Sequence, residues 1–223
     1  MDGRDVMNHD VKSQVSDEAL VARRRAQIVA AATELFSHQG FYRTTIQDVA
    51  KKAGVSAGLI YQYVTDKEDV LLLVLLSVLD SYKTEIPAAI AGLTDPLERF
   101  WAAIGAYCRV VDQRREATVL AYRSTKSLPD DRRELIKQSE IETNGMIAAC
   151  LSDCVKAGLM RDVKVELVTY QLVTFAHSWA LKHWRLKEVC GLEEYIAEGF
   201  DFFAQALLTP KGRRHQAKIH GRT

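Results

Sequence analysis

The sequence predicts an all-α fold, in which an N-terminal three-helix domain carrying a helix-turn-helix is followed by a larger helical domain. Three observations support this. Apolar residues recur at spacings of three and four along nearly the whole chain. No segment shows the sustained apolar–polar alternation of a half-buried strand. Thr44 to Lys67, TTIQDVAKKAGVSAGLIYQYVTDK, reads as two short helices around a Gly-containing turn, a shape that delivers a helix to a DNA groove.

Taken in order, the N-terminal MDGRDVMNHDVKSQ lacks the apolar core of a signal peptide, and residues 1–19 are expected to be a disordered arm. The DNA-binding domain is expected over 20–67. In its motif, Ile46, Val49, Ala50 and Ala53 line one face of a first helix, capped by Thr44 or Thr45, with Asp48 in the first turn where negative charge suits the helix dipole. Gly54 ends that helix in the left-handed conformation of a tight C-cap, and Val55 plugs the space between the helices. Ser56 caps a second helix over roughly 57–64, too short to hold alone. Ala57, Gly58, Gln62 and Tyr63 are its expected exposed residues. The small pair allows close approach, Gln62 suits paired hydrogen bonds to adenine, and a Tyr hydroxyl reaches phosphate oxygens. Asp66 caps the next helix, with Lys67 at its start as a phosphate contact.

That next helix is expected to run to about Ile86, before Pro87. Asp95-Pro96 opens another, with Leu97, Phe100, Trp101, Ile104, Tyr107 and Cys108 along its buried stripe. A shorter helix spans 115–125, and Pro129 opens a long one whose Leu135, Ile136, Ile141, Met146, Ile147 and Leu151 lead towards Gly158. Two last helices, 165–187 and 192–208, are split at Gly191. The basic tail after Pro210 is expected to be disordered, giving domains over 68–208 and 209–223.

Composition bounds the function. Hydrophobic residues at 48% with 26% charged are ordinary for a soluble globular protein. The apolar run Val70 to Leu79 is broken by Ser77 and followed by Asp80, short of the roughly eighteen residues of a membrane span. A cytoplasmic protein without membrane partners is the expectation. The net charge of +1 hides a local bias: from Leu20 to Lys67, Arg23, Arg24, Arg25, Arg43, Lys51, Lys52 and Lys67 face Glu34, Asp48 and Asp66, for +4. Arg23 to Arg25 suit either phosphate contact or a solvated helix start. Cys108, Cys150, Cys154 and Cys190 are scattered without metal-ligand spacing to the histidines, and no phosphate loop, dinucleotide fingerprint or catalytic arrangement appears, so neither an enzyme nor a metal or cofactor is expected.

The helix RRRAQIVAAATELFSHQGFYRTT followed by IQDVAKKAGVSAGLIYQYVTDKEDVL, from Arg23 to Leu71, resembles the N-terminal domain of the TetR family of bacterial transcriptional regulators. Ile28, Ala31, Ala32, Leu35 and Phe36 match the apolar face of its first helix, and Gly40 and Phe41 the exit turn. Thr44 and Thr45 match its phosphate-touching capping threonines, and Ala50, Gly54 and Val55 its helix-turn core. Tyr61 and Tyr63 match its aromatic pair, and Lys67 its lysine at the head of the fourth helix. Val64 stands where a Phe is usual, and Thr65 where a basic residue is common.

This resemblance implies a ligand-responsive regulator, a repressor by expectation, that binds a palindromic double-stranded DNA operator as a homodimer and is released by a small-molecule effector. With Arg43, Ser56, Ala57, Gly58 and Gln62, the matched Thr44, Thr45, Tyr61, Tyr63 and Lys67 form the expected DNA-binding set. The last two long helices of the family pair into a four-helix bundle, which assigns Trp184, Tyr195, Phe200 and Phe203 to a dimer interface; a place in one subunit's own core is the alternative. The family's effector pocket among the middle helices implies Trp101, Tyr107, Arg109, Tyr122, Arg123, Met146, Phe175, Trp179 and His183 as ligand contacts. Arg123 interrupts an apolar helix and is expected to be buried, against a structural carboxylate or a ligand anion. VLAYRSTKSLPDDRRELIKQSE with AHSWALKHWRLKE more weakly resembles the acyl-CoA-responsive members, so an acyl-CoA is the leading effector class. An efflux-pump repressor sensing aromatic or cationic compounds is the runner-up, and a helical protein-interaction module the reading from a different class.

Overall fold

The computed structural model describes residues 11–220. Among them the regular structure is helical: α1 (Glu18–Gln39), α2 (Ile46–Ala53), α3 (Ala57–Ile60), α4 (Lys67–Ile90), α5 (Pro96–Gln113), α6 (Arg115–Ser124), α7 (Asp130–Lys156), α8 (Val165–Leu181), α9 (His183–Leu186), α10 (Leu192–Leu207) and α11 (Pro210–His220). The chain divides into two compact units. One comprises residues to Ser81 with Arg114–Glu140, the other Tyr82–Gln113 with Ile141 onwards. The division differs from the expected one at 67/68, because the apolar start of α4, all of α6 and the start of α7 join the head.

In the first unit, α1 packs on α2 and α6, and α2 on α3. The short helices hold through their ends. Thr45 and Asp48 form a reciprocal capping box on α2, with Thr45 N to Asp48 Oδ2 at 2.9 Å and Asp48 N to Thr45 Oγ1 at 3.2 Å. The Thr45 hydroxyl, donating to Asp48 Oδ2 at 2.7 Å, and then the Thr45 amide hold the Asp48 carboxyl below its usual range. Gly54 takes φ 69°, and its N–H closes the last turn. Ser56 caps α3 through the Leu59 amide at 3.2 Å. From Val70 to Leu75 every side chain of α4 is at most 2% exposed, so this stretch is covered all round. Val64, in place of the usual Phe, is 2% exposed and fills its core position.

In the second unit α5 packs along α8, with α10 against α5. Gly199 of α10 lets Phe175 of α8 lie directly on the helix backbone: a Cβ there would stand 2.0 Å from the ring. Phe175 in turn stacks on Tyr195 at 4.6 Å.

Three expectations about elements are corrected. Helix α4 continues through Pro87 to Ile90, since proline in an exposed last turn forfeits only one terminal hydrogen bond. A single residue, Lys182, leaves helical geometry (φ −116°, ψ 18°) and separates α8 from α9. The basic tail is ordered as α11: Thr209 Oγ1 caps it by accepting from the Gly212 amide at 3.0 Å, and Pro210 occupies its first position. It docks through Lys211 Nζ to Ala157 O at 2.7 Å and His215 Nε2 to Asp95 Oδ2 at 2.5 Å. At Gly212 a Cβ would stand 2.0 Å from Leu159 O, so the two backbones touch. The tail's last residues, 221–223, and residues 1–10 of the arm lie outside the described residues.

Candidate nucleic-acid interface and effector-domain core

The reading head is built around a very short recognition element. Only Ala57–Ile60 is regular α-helix; beyond it, Gln62 N to Leu59 O (3.1 Å) and Tyr63 N to Ile60 O (2.9 Å) tighten the chain into successive turns. This tightening decides which residues face out. Gly58, Tyr61 and Gln62 are exposed, with Ser56 beside them and Ala57 half-buried. Tyr63, expected on the outer face, is only 2% exposed, while Tyr61 is 45% exposed. The outward aromatic of the pair is therefore Tyr61.

Several other residues hold the head together rather than lying free for phosphate. Thr44 is 1% exposed and its hydroxyl donates to Gly40 O at 2.9 Å, while the exposed Thr45 donates to Asp48 Oδ2 at 2.7 Å. Lys67 Nζ donates to Phe41 O at 2.9 Å and Thr44 O at 3.1 Å, and sits 4.4 Å above the Phe41 ring. Two of its three N–H donors thus fasten the start of α4 to the loop before α2. Arg43, Lys51 and Lys52 are exposed, with Lys52 paired to Glu34 at 2.5 Å. Gln47 and Tyr42, also exposed, were not picked out from the sequence.

Arg25 is corrected from a phosphate candidate to a buried clamp. It is fully buried; Nε and Nη2 donate to Tyr63 O at 3.3 and 3.1 Å, and Nη2 also to Val11 O. Burial pulls its pKa down, opposed by Asp69. Asp69 is itself 4% exposed, accepts from the Thr65 amide at 2.7 Å and pairs with Arg132 at 3.0 Å. Arg132 also makes a forked pair with Asp66 at 2.7 and 2.9 Å. Burial works to raise the Asp66 carboxyl, but the Arg132 bond and charge and the amides of Asp69 and Glu68 outweigh it and hold it low.

In the second unit, the expected ligand residues Trp101, Tyr107, Phe175, Trp179 and His183 fall into three groups of ring contacts. Tyr107 stacks on Tyr82 at 4.0 Å and its hydroxyl meets His177 Nε2 at 3.1 Å. Trp101 lies 4.7 Å from Phe200. Trp179 packs against His183 and Tyr195, both at 5.1 Å, and donates its indole N–H to Asp112 at 2.7 Å. Met146 is half-buried on α7. Burial drives His177 down to about 4, so it is neutral at pH 7, and raises the Cys108 and Cys154 thiols to about 12, which keeps them unreactive.

Three of the expected ligand contacts stand elsewhere. Tyr122 and Arg123 belong to the first unit, where Tyr122 is 56% exposed and Arg123 is exposed rather than buried. On a ten-residue helix their positions face outward, which a single polar interruption did not disclose. Arg109 is exposed and forks onto Glu193 at 2.9 and 2.7 Å, so its charge is already matched. The expected dimer residues also divide. Trp184 is 69% exposed, but Tyr195 donates to Phe175 O at 2.7 Å, Phe200 lies on Trp101, and Phe203 is half-buried edge-on to Phe175. Outward on α8 and α10 are instead Leu167, Tyr170 and Phe202, at 57%, 38% and 69%.

Comparison with known proteins agrees with this geometry. Residues 28–74 match the model of the bacterial regulatory proteins of the tetR family, and residues 93–184 that of the tetracyclin repressor-like C-terminal domain. The chain is 54% identical over 209 residues to the HTH-type transcriptional regulator HbdR of Aromatoleum sp. (strain CIB), covering 94% of this chain and 91% of that protein. It is 26% identical over 165 residues to the HTH-type transcriptional repressor KstR2 of Mycolicibacterium smegmatis, covering 73% and 80%. The solved structure of the ketosteroid transcriptional regulator KstR2 of Mycobacterium tuberculosis superposes with a TM-score of 0.69 at 19% identity, covering 89% of this chain and 99% of that one. By its reading head, its helical second unit and this near-complete similarity, the chain belongs to the TetR family of bacterial transcriptional regulators.

Proposed function

We propose that this regulator represses its target by binding a palindromic operator as a homodimer and is released by an apolar effector carrying an acyl group, with an acyl-CoA as the leading class. The observation that carries DNA reading is the outward set Gly58, Tyr61 and Gln62 on a capped, clamped turn of helix. In this reading Gln62 contacts a base edge, Tyr61 and Arg43 contact phosphate, and Thr45 and Lys67 hold the helix starts that present them. The exposed Leu167, Tyr170, Trp184 and Phe202 form the self-complementary face of the dimer, and the two halves of its palindromic operator lie about 34 Å apart, one DNA turn.

The effector reading rests on the second unit's chemistry. The second unit holds two polar side chains, Trp101 on α5 and the 4% exposed Asn144 on α7, whose indole Nε1 and two amide atoms are buried with no hydrogen-bond partner among the described residues. A ligand with one carbonyl among apolar carbons suits them. The name of KstR2, a ketosteroid regulator, points to the same apolar class. Asp112, beside Trp179, favours the runner-up, a cationic aromatic compound.

Fluorescence anisotropy on duplex DNA from upstream of the gene, with unrelated DNA as competitor, tests the first half. Gln62→Ala is expected to relax preference at particular bases, whereas Tyr61→Phe weakens all operator variants alike. Binding that shows no sequence preference refutes operator reading. For the second half, acyl-CoAs of graded chain length are expected to stabilise the protein by about 2.7 kcal/mol at 100 times their Kd and to release DNA. No thermal shift from any acyl-CoA, with one from cationic dyes, moves the assignment to the runner-up.

A further inference from the structure

We propose that the segment before α1 is a second DNA-contacting element, in which Lys12 neutralises a backbone phosphate beside the base step met by Gln62. The inference rests on the DNA-reading geometry above.

The arm is pinned to the recognition turn itself. Gln14 N donates to Gln62 O at 2.8 Å, and Ser13 Oγ donates to the same carbonyl at 3.2 Å while accepting from Val15 N at 3.1 Å. On the inner side Val11 is 3% exposed, and its carbonyl accepts from the buried Arg25, which also grips Tyr63 O. One guanidinium therefore ties the arm and the end of the reading turn into a single piece. Val11 is buried, whereas Lys12 and Gln14 are exposed.

That pairing sets the reach. A direct peptide hydrogen bond leaves the two Cα atoms about 5.5 Å apart, and Lys12 is two residues further along, within roughly 7 Å. A lysine stem of four carbons spans the remainder, so a duplex touched by the Gln62 side chain lies within range of the Lys12 ammonium. Asp17, the acid that follows, is engaged in capping α1 through the Leu20 amide at 3.0 Å. The partner that suits an exposed cation held beside a base-reading residue is the phosphate backbone.

The test is the salt dependence of operator affinity for the full chain between 50 and 200 mM salt, measured as a slope of log K against log salt. Lys12→Gln is expected to reduce the magnitude of the slope by about 0.9 per head, roughly 2 for a dimer on its operator, with unchanged melting temperature. Lys12→Arg is expected to restore it. If the wild type prefers its operator and Lys12→Gln and Lys12→Glu both keep the wild-type slope, the arm does not touch phosphate, while the reading head stands. If the wild type shows no operator preference, both inferences fall.

Discussion

His177→Gln should flatten the acid side of the stability profile. The imidazole lies inside the second unit against Tyr107, and burial lowers its pKa from 6.5 to about 4. The unfolded chain therefore takes up a proton at a pH where the folded chain does not, so stability is complete above about pH 6.5 and drains away as the pH falls towards 4. At 1.36 kcal/mol per pH unit, the loss attributable to this one group is about 2 kcal/mol at pH 5 and about 3 kcal/mol below pH 4. Urea melts of both proteins at pH 7.5, 6 and 5 would read the difference directly. Carboxylates held low, such as Asp66 and Glu193, titrate in both proteins and cancel. The glutamine variant is expected to lose about 2 kcal/mol less between pH 7.5 and 5, whatever its stability at neutral pH. Parallel profiles would refute the claim that His177 is buried and neutral in the folded state.

Two further outcomes follow from packing and charge. Gly199→Ala should destabilise by about 1–2 kcal/mol despite alanine's better helix propensity, because its Cβ would displace the Phe175 ring, whereas Gly145→Ala, in open space on α7, should stabilise by about 0.5–1 kcal/mol. Thermal melts that raise the Gly199 variant would show that the ring has room to move. Arg132→Met should cost about 3 kcal/mol by stranding the buried Asp69 carboxylate, and adding Asp69→Asn should recover part of the loss. Equal melting temperatures for the single and double variants would show that the pair is not coupled.

The sequence by itself determined the helical class, the helix-turn-helix with its Gly54 C-cap and Ser56 N-cap, and the aromatic stripes that become the second unit's core. These are local signals: a cap, a left-handed glycine and a period of 3.6 act within a few residues and are visible without the fold. The tail helix reads as disorder in the sequence, because a segment so poor in apolar residues gives no sign that it would dock through backbone contact at Gly212. Only the tertiary structure decided the direction each side chain faces. It turned Tyr63 inward and Tyr61 outward because the recognition helix tightens after one turn, matched Arg109 with Glu193 from a distant helix, and put Tyr122 and Arg123 at the surface of the first unit. It also decided the fate of two segments that composition marked as solvated. Arg25 went into the core because carbonyls of Val11 and Tyr63, far apart in the chain, converge on its guanidinium, and the arm became part of the reading head because Gln62 offers it a carbonyl. Charge tells which residues prefer water; partners remote in sequence determine whether they remain in it.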